Sequence, residues 1–325
     1  METKDKPRLA FDFIYFLEKK GKRPSTIKRY RYDLEDFLAW IRVNELSYED
    51  DTVFRYTFIQ SYFDFLSYER NYSFRTLKRV YSVLNQYHGY LKNHRVISEN
   101  PLVQITIDAF NKDSFSEDMF ITENEQNQLI ETIQSEKDLT ENQLKAHSYL
   151  TNRNVAIIHL MLKYGLTLQD IVSINMRNVS FIQKKIIVRS SDGDLNRSIT
   201  LTEDVLSELL SYYSLIPQAV RPTQDDTDPF FVAFDFQRLT YRWSYEEDQP
   251  KRLTNIAIQK MIRQEVSRAG LRKGISSQHF RRTAVLNAVQ SGKDSETIQY
   301  QFGMKTPLTL NRYYDYVHQL SLETT

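Results

Sequence analysis

The sequence predicts a mainly helical (α+β) protein of two domains joined by a linker. Apolar residues recur at three- and four-residue spacing along most of the chain, which indicates amphipathic helices. Only the stretch from Val179 to Leu201 alternates with the period of β-strands. With 325 residues the chain can bury two cores. We therefore expect a four-helix domain over residues 1–110, a linker over 111–119, and a mixed helical domain with a small antiparallel sheet over 120–325.

The composition excludes several classes of protein. The absence of cysteine excludes a disulfide framework, a thiolate nucleophile and a cysteine metal site. His147 and His159 lack the spacing of metal ligands, so we expect no metal and no cofactor. Met1 to Arg8 is polar, and the longest apolar run, Val155 to Leu162, is too short to span a bilayer. A cytoplasmic protein without membrane association is expected.

The N-terminal domain is predicted as four helices in sequence order. The first runs from Arg8 to Lys20 and would bury Phe11, Ile14, Tyr15 and Leu17. Pro24 starts a second helix whose apolar residues continue to Ile41. A third helix is predicted from Val53 to Tyr68. A fourth, from Phe74 to His94, is capped by Ser73.

Positive charge is concentrated in this domain although the whole chain has a net charge of only +1. Residues 1–110 contain 18 Lys and Arg against 15 Asp and Glu, a net of +3. The cations cluster around the starts of the second and fourth helices. Such a cluster is usually a solvated face, but it can also bind phosphate on a nearly neutral protein.

The C-terminal domain is predicted from capping and turn signals. Thr122 and Glu125 form a capping box, and a buried helix runs from Thr151 to Tyr164. Helices over residues 205–213 and 253–269 follow the sheet, and residues 217–229 are predicted as a loop. A helix from Ser276 breaks at Ser291-Gly292, and a second helix over 294–302 ends at Gly303. A short helix is then predicted to end at Arg312 and Tyr313.

The stretch over residues 276–316 resembles the catalytic domain of tyrosine recombinases, the phage integrase family. The family pattern is His-x-Leu-Arg-His-Thr, then Leu-Gly-His, then Arg-Tyr. By this resemblance Arg281 takes the arginine position and Tyr313 the position of the nucleophile. Gln278 stands in place of the first histidine, Arg282 in place of the second, and Met304 in place of the later histidine or tryptophan.

Two further stretches extend the resemblance over residues 8–320. Gly165-Leu166-Thr167 with Asp170-Ile171 is similar to the family's Gly-Leu-Arg-x-x-Glu-Leu, with Thr167 at the first catalytic arginine. Asp192, in the turn of the predicted sheet, occupies the position of the catalytic lysine. The N-terminal helices resemble the SAM-like core-binding domain of integrases, which with the catalytic domain clamps a DNA duplex.

The resemblance implies that double-stranded DNA is the partner. Family members place the starts of the second and fourth helices against the DNA grooves, and the arginine helix against the scissile phosphate. The residues that would contact DNA are Lys22, Arg23, Thr26, Lys28, Arg29, Arg75, Lys78, Arg79, Arg281 and Arg282.

The altered positions lead to the expectation that the protein is not an enzyme. Family members attack phosphorus with the tyrosine hydroxyl and stabilise the transition state with arginine, histidine and lysine side chains. Thr167 and Met304 provide no charged donor, and Asp192 would repel a phosphate. Loss of one preorganised donor typically costs on the order of 3 kcal/mol of transition-state stabilisation. We therefore expect vestigial Arg281 and Tyr313 on a sequence-specific DNA-binding regulator, similar to the integrase-like lysogeny repressors of SPbeta-type phages.

Alternative interpretations remain open at this point. His279 and Arg282 form a His-x-x-Arg shifted by one residue, which would place Arg281 at a buried position. The protein could be an active recombinase that uses Tyr313 with Lys305 or Arg312 as substitutes. It could also be an architectural factor that contacts an active integrase.

The oligomeric state and further partners are expectations of the same kind. Family members exchange a C-terminal helix between neighbouring copies on DNA. Because few residues follow Tyr316, we expect a monomer or a weak dimer. A regulatory protein or peptide partner is compatible with the repressor hypothesis.

Overall fold

A computed structural model describes residues 6–44, 55–105, 115–189, 196–223, 226–304 and 306–323. The chain divides into two compact units, Met1–Asp113 and Ser114–Thr325. Helices dominate both units, and the strands form small antiparallel sheets in the second. The predicted fold class, mainly helical with a small antiparallel sheet, is confirmed.

The first unit packs four helices around one core. The helices are α1 (Lys6–Lys19), α2 (Pro24–Val43), α3 (Tyr56–Asp64) and α4 (Phe74–Asn93). A π-helical turn, Phe65–Glu69, continues α3, and a 3₁₀ turn, Pro101–Gln104, packs against α4. Pro at the start of α2 and the Ser73 cap of α4 form as the sequence predicts.

The predicted buried face of α1 is wrong in part. Phe11 and Tyr15 are 67% and 59% exposed, whereas Leu9, Phe13 and Leu17 are buried. The buried positions follow the four-residue step that places side chains on one side of a helix. Aromatic residues on neighbouring positions hid this step, because either set looks apolar in the sequence.

The second unit begins with helices α5 (Glu123–Gln134), α6 (Glu141–Tyr164) and α7 (Leu168–Ser173). Its three-stranded antiparallel sheet consists of β1 (Val179–Ser180), β2 (Lys185–Val188) and β3 (Arg197–Thr200), in the order β1-β2-β3. Within β2 and β3, Ile186 pairs with Ile199 and Val188 with Arg197, and all four side chains are buried. The sheet therefore closes one side of the core formed by α6 and α8 (Glu203–Leu215).

The remaining elements include two ladders that the sequence analysis missed. These are β4 (Phe234–Asp235) with β5 (Thr240–Tyr241), and β6 (Trp243–Ser244) with β7 (Gln249–Pro250). The helices that follow are α9 (Asn255–Arg268), α10 (Ser277–Gln290), α11 (Ser295–Phe302) and α12 (Leu308–Glu323). The last helix was predicted to end at Tyr313, which is wrong. Tyr316 is buried, and Val317 and Leu320 pack against the same cluster, so the apolar face continues.

Candidate functional site

Arg281 on α10 lies between the ends of two other helices. Its guanidinium donates to the carbonyl oxygen of Gly165, at the end of α6, and to that of Phe302, at the end of α11, the latter at 2.6 Å. Both helices end in a left-handed glycine, Gly165 and Gly303. The last carbonyls of a helix have no partner within it and attract a cation. Arg281 is therefore part of the packing of three helices, and it remains partly accessible to solvent.

A second arginine, which the sequence analysis did not single out, approaches the same place. Arg197 on β3 is 5% exposed and donates to the Asp170 carboxylate at 2.9 Å. Its guanidinium lies so close to Gly303 that any larger residue there would collide with it. The charges of Asp170 and Arg197 both act on Arg281, although its pKa is lowered mainly by burial. Strand alternation over residues 197–200 is the signal that places Arg197 on the buried face.

Tyr313 lies near this cluster but is covered. Its side chain is 6% exposed, and its ring packs against Phe115 with the ring centroids 4.7 Å apart. Burial raises the pKa of the Tyr313 hydroxyl, and the charges of Arg281, Arg282 and Arg312 act in the opposite direction. The structure therefore brings the predicted arginine and tyrosine positions together.

The substituted positions have structural roles where the structure describes them. The Thr167 hydroxyl accepts from the Asp170 amide, and its own amide donates to the Asp170 carboxylate, which forms a capping box at the start of α7. Met304 is 8% exposed and packs in the core around α10 and α12. Gln278 is exposed on α10. Asp192 and Lys305 lie outside the described residues.

The packing of α10 decides between the two registers left open by the sequence. Phe280 is fully buried in the main core of the second unit. His279 is occupied with the Ser276 capping box, through its Nδ1 atom at 3.2 Å from the Ser276 amide. Burial, followed by the charges of Arg282 and Arg272, lowers the pKa of His279. The burial of Phe280 therefore favours the register that aligns Arg281 with the family's arginine over the shifted register.

The predicted DNA-contacting cations of the first unit fall into two groups. Arg79 and Arg29 both approach Asp33, which is 7% exposed; Arg79 donates to it directly, and Arg29 lies 3.6 Å away. The charge of Arg79 is thus largely engaged inside the unit. The remaining predicted basic residues are exposed and lie near the starts of α2 and α4: Lys22, Arg23, Lys28, Arg75 and Lys78. Thr26 is half-buried.

The described residues contain neither a candidate metal site nor a candidate membrane span. Across the described ranges, no cluster of His, Cys, Asp or Glu side chains has the geometry to hold a metal ion. No helix in the described part of the chain is both long and apolar enough to cross a membrane.

The mainly helical fold with small antiparallel sheets is that of the tyrosine recombinase class. The model of the Phage integrase family matches residues 119–319, which is more than half of the chain. The protein belongs to this family.

Curated relatives match almost the whole chain at low identity. Tyrosine recombinase XerC from Caldanaerobacter subterraneus subsp. tengcongensis is 24% identical, with 96% of this chain and 84% of the relative covered. Tyrosine recombinase XerD from Oceanobacillus iheyensis is 21% identical, with 90% and 88% covered.

Solved structures agree on the fold. The Tn1549 transposon integrase, in complex with a circular intermediate DNA, superposes with a TM-score of 0.68 at 15% identity and covers 98% of this chain and 99% of that one. The XerH site-specific recombinase bound to palindromic difH gives a TM-score of 0.67 at 16% identity, with 92% and 78% covered.

The expectation that the protein is not an enzyme is contradicted by these comparisons. The curated relatives that match over most of the chain are named tyrosine recombinases. The expectation rested on the residue types at the altered positions, among them Thr167, Asp192, Gln278 and Met304. In the structure Thr167 caps a helix and Met304 packs in a core. These roles do not by themselves determine whether the site can cleave DNA.

Proposed function

We propose that the protein binds a specific duplex DNA site and acts there as a tyrosine recombinase, with Tyr313 as the nucleophile. The observation that supports this most directly is the convergence of Arg281 and Tyr313 in a chain that is similar to XerC and XerD recombinases along its length. In such a reaction the Tyr313 oxygen attacks phosphorus, a phosphotyrosine bond forms, and the 5′-oxygen leaves with a proton.

The electrostatics near Tyr313 suit this chemistry. A guanidinium stabilises negative charge on the non-bridging oxygens of a phosphate, and Arg281 is partly exposed and its charge acts on Tyr313. The charges of Arg281, Arg282 and Arg312 favour the phenolate form of Tyr313. Because Phe115 covers the ring, attack on a phosphate requires that Phe115 move away from Tyr313.

Exposed cations of the first unit are proposed to bind the DNA backbone. Arg75 and Lys78 lie in the first turns of α4, and Lys22 and Lys28 lie at the start of α2, all exposed. Contacts to the DNA backbone determine the affinity and the register of binding, and they do not determine which base sequence is recognised. Each phosphate contact that is removed should reduce the slope of log affinity against log salt concentration by about 0.9.

The experiment has two stages. Crosslinking and footprinting in cells, with the wild type and Tyr313→Phe side by side, define the bound site. A duplex with that site and a nick next to the scissile phosphate then traps a covalent intermediate. An adduct formed by the wild type and absent from Tyr313→Phe supports the proposal. A bound site that never yields an adduct refutes the recombinase assignment but leaves specific DNA binding intact.

A second candidate is control of transcription from the bound site, as in the integrase-like lysogeny repressors noted above. The observation that favours it is Thr167, because a helix-capping threonine takes the place of a catalytic arginine. Binding sites that overlap promoters, occupied equally by the wild type and Tyr313→Phe, with increased transcription when the protein is depleted, would support this candidate. A single site at a recombination junction, with no change of transcription, would refute it.

A further inference from the structure

A cavity in the second unit is lined by residues that the proposed function does not use. It has a volume of about 540 Å³ and is lined by residues of α6 and α9, by Phe234 of β4, and by Arg242, Lys251 and Arg252 next to β6 and β7. This volume is within the range of small-molecule sites, roughly 300–1,000 Å³. Arg281, Tyr313 and Arg197 are not among its lining residues.

The lining of the cavity has a strong excess of positive charge. Five cationic side chains border it: Arg153, Arg242, Lys251, Arg252 and Lys260. The one carboxylate in the lining, Glu265, is already paired with Arg268 at 2.6 Å. Arg242, Lys251 and Lys260 are exposed at the rim, whereas Arg153 is 6% exposed.

Arg153 is the most informative of these residues. Its Nε and Nη2 atoms donate to the Asn154 side-chain oxygen at 3.2 and 3.0 Å, and Nη1 donates to the Val232 carbonyl at 3.4 Å. All these acceptors are neutral, and within the described residues no carboxylate pairs with Arg153. A buried charge without an opposite charge is unfavourable, and burial accordingly lowers the pKa of Arg153.

Arg252, which also lines the cavity, is half-buried, and the charge of Glu247 acts on it. Its guanidinium donates to the Val172 carbonyl at 2.7 Å and to the Asn175 side-chain oxygen at 2.8 Å, again neutral acceptors. Apolar side chains complete the wall, among them Leu150, Phe234 and Met261. The cavity therefore combines the buried Arg153 guanidinium, which pairs with no carboxylate of the described residues, with an apolar surface.

We propose that this cavity binds a small molecule that bears an anionic group, a carboxylate or a phosphate, on an apolar body. The anionic group is placed against Arg153, with Arg242 and Lys260 at the rim, and the apolar body against Phe234 and Met261. A planar guanidinium binds either anion through paired hydrogen bonds. The ligand is expected to raise the stability of the second unit, because it neutralises a buried charge.

Binding is tested with three matched probes: phenyl phosphate, phenylacetate and the neutral 2-phenylethanol. Titration calorimetry of the full chain should show binding of at least one anion with a Kd on the order of 1 mM or tighter, and no binding of the alcohol. Arg153→Met should raise the Kd of the anionic probe by about tenfold or more. Preference for phenyl phosphate or for phenylacetate identifies the natural anionic group.

Since Arg153→Met could unfold the protein, the double variant Arg242→Ala with Lys260→Ala provides an independent test at the exposed rim. Lys145→Ala is the matched control, because Lys145 is exposed on α6, pairs with Glu141 and does not line the cavity. The double variant should weaken binding severalfold, and the control should not.

Three results would overturn the proposal. In the first, the anions and the alcohol bind with equal Kd or do not bind. In the second, the rim double variant and the Lys145→Ala control bind the anion with the same Kd. In the third, duplex DNA of any sequence displaces the bound anion. The last result would assign the cations to a DNA-backbone surface.

Discussion

Replacing Arg281 by methionine separates its structural role from its role on DNA. Methionine keeps an apolar side chain of similar length beside the Phe302 ring, over which the guanidinium lies at 5.9 Å from the centroid. The variant loses both hydrogen bonds to helix-end carbonyls, of Gly165 and Phe302. The positive charge beside Tyr313 is also lost.

The expected loss of stability follows from these contacts. Hydrogen bonds from a charged donor contribute roughly 1.5–3 kcal/mol each, and a partly exposed group falls at the lower end of that range. Two of them give about 3 kcal/mol of unfolding free energy. For a unit of this size, the melting temperature should fall by about 6–12 °C.

The measurement is urea unfolding and scanning calorimetry of the full chain, followed by DNA binding at a temperature where both proteins are folded. Asn287→Ala is the matched control, because Asn287 is exposed on the same helix and lies outside the family pattern. The structural role of Arg281 is refuted if Arg281→Met unfolds within about 0.5 kcal/mol of the wild type, a change typical of surface substitutions. Weakened DNA binding by the folded variant would then identify a phosphate contact.

Three further predictions concern other charged and buried groups. Asp33→Asn should lower the unfolding free energy, measured in urea, by about 1–2 kcal/mol. Because Arg79 then becomes available to a phosphate, the slope of log DNA affinity against log salt concentration should steepen by about 0.9, the value of one contact. An unchanged salt slope argues against this. Phe115→Ala should lower the pKa of Tyr313 toward its ordinary value, since the covering ring is removed; NMR titration of ring-labelled tyrosine tests it, and an unchanged titration contradicts it. Burial lowers the pKa of His88 from 6.5 to about 4, so the folded state favours the neutral imidazole. The contribution of His88 to the unfolding free energy is therefore fully present above pH 6.5 and is lost as the pH falls toward 4. Urea unfolding should therefore show a loss of about 2 kcal/mol at pH 5 that His88→Gln abolishes, and an equal loss in that variant would exclude His88 as the cause.

Elements with local signals could be predicted from the sequence. Pro24 begins α2 and Ser73 caps α4, because a proline ring and a hydroxyl act on the adjacent backbone alone. The Thr122–Glu125 capping box forms for the same reason, with both of its hydrogen bonds present. The positions of Arg281 and Tyr313 followed from the spacing of a family pattern, and the structure brings them together.

Features that depend on distant contacts could not be predicted. The two-residue strands of β4–β7 are too short to show alternation, and their pairing is defined by the fold around them. Arg197 is distant in sequence from Arg281, so their approach follows from the contact of β3 with α11. The continuation of α12 beyond Tyr313 depends on the packing of its apolar residues in the core around α10. The short sequence after Tyr313 does not by itself reveal this packing.

The structural role of Arg281 affects how the family pattern should be interpreted. An arginine that joins the ends of α6 and α11 is needed for packing whether or not it touches a phosphate. Thr167 forms the cap of α7 at the position that the resemblance aligns with the family's first catalytic arginine. Both residues therefore have contacts within the fold that do not by themselves report the chemistry. Trapping a Tyr313 adduct tests the chemistry directly, because packing alone cannot produce a covalent bond to DNA.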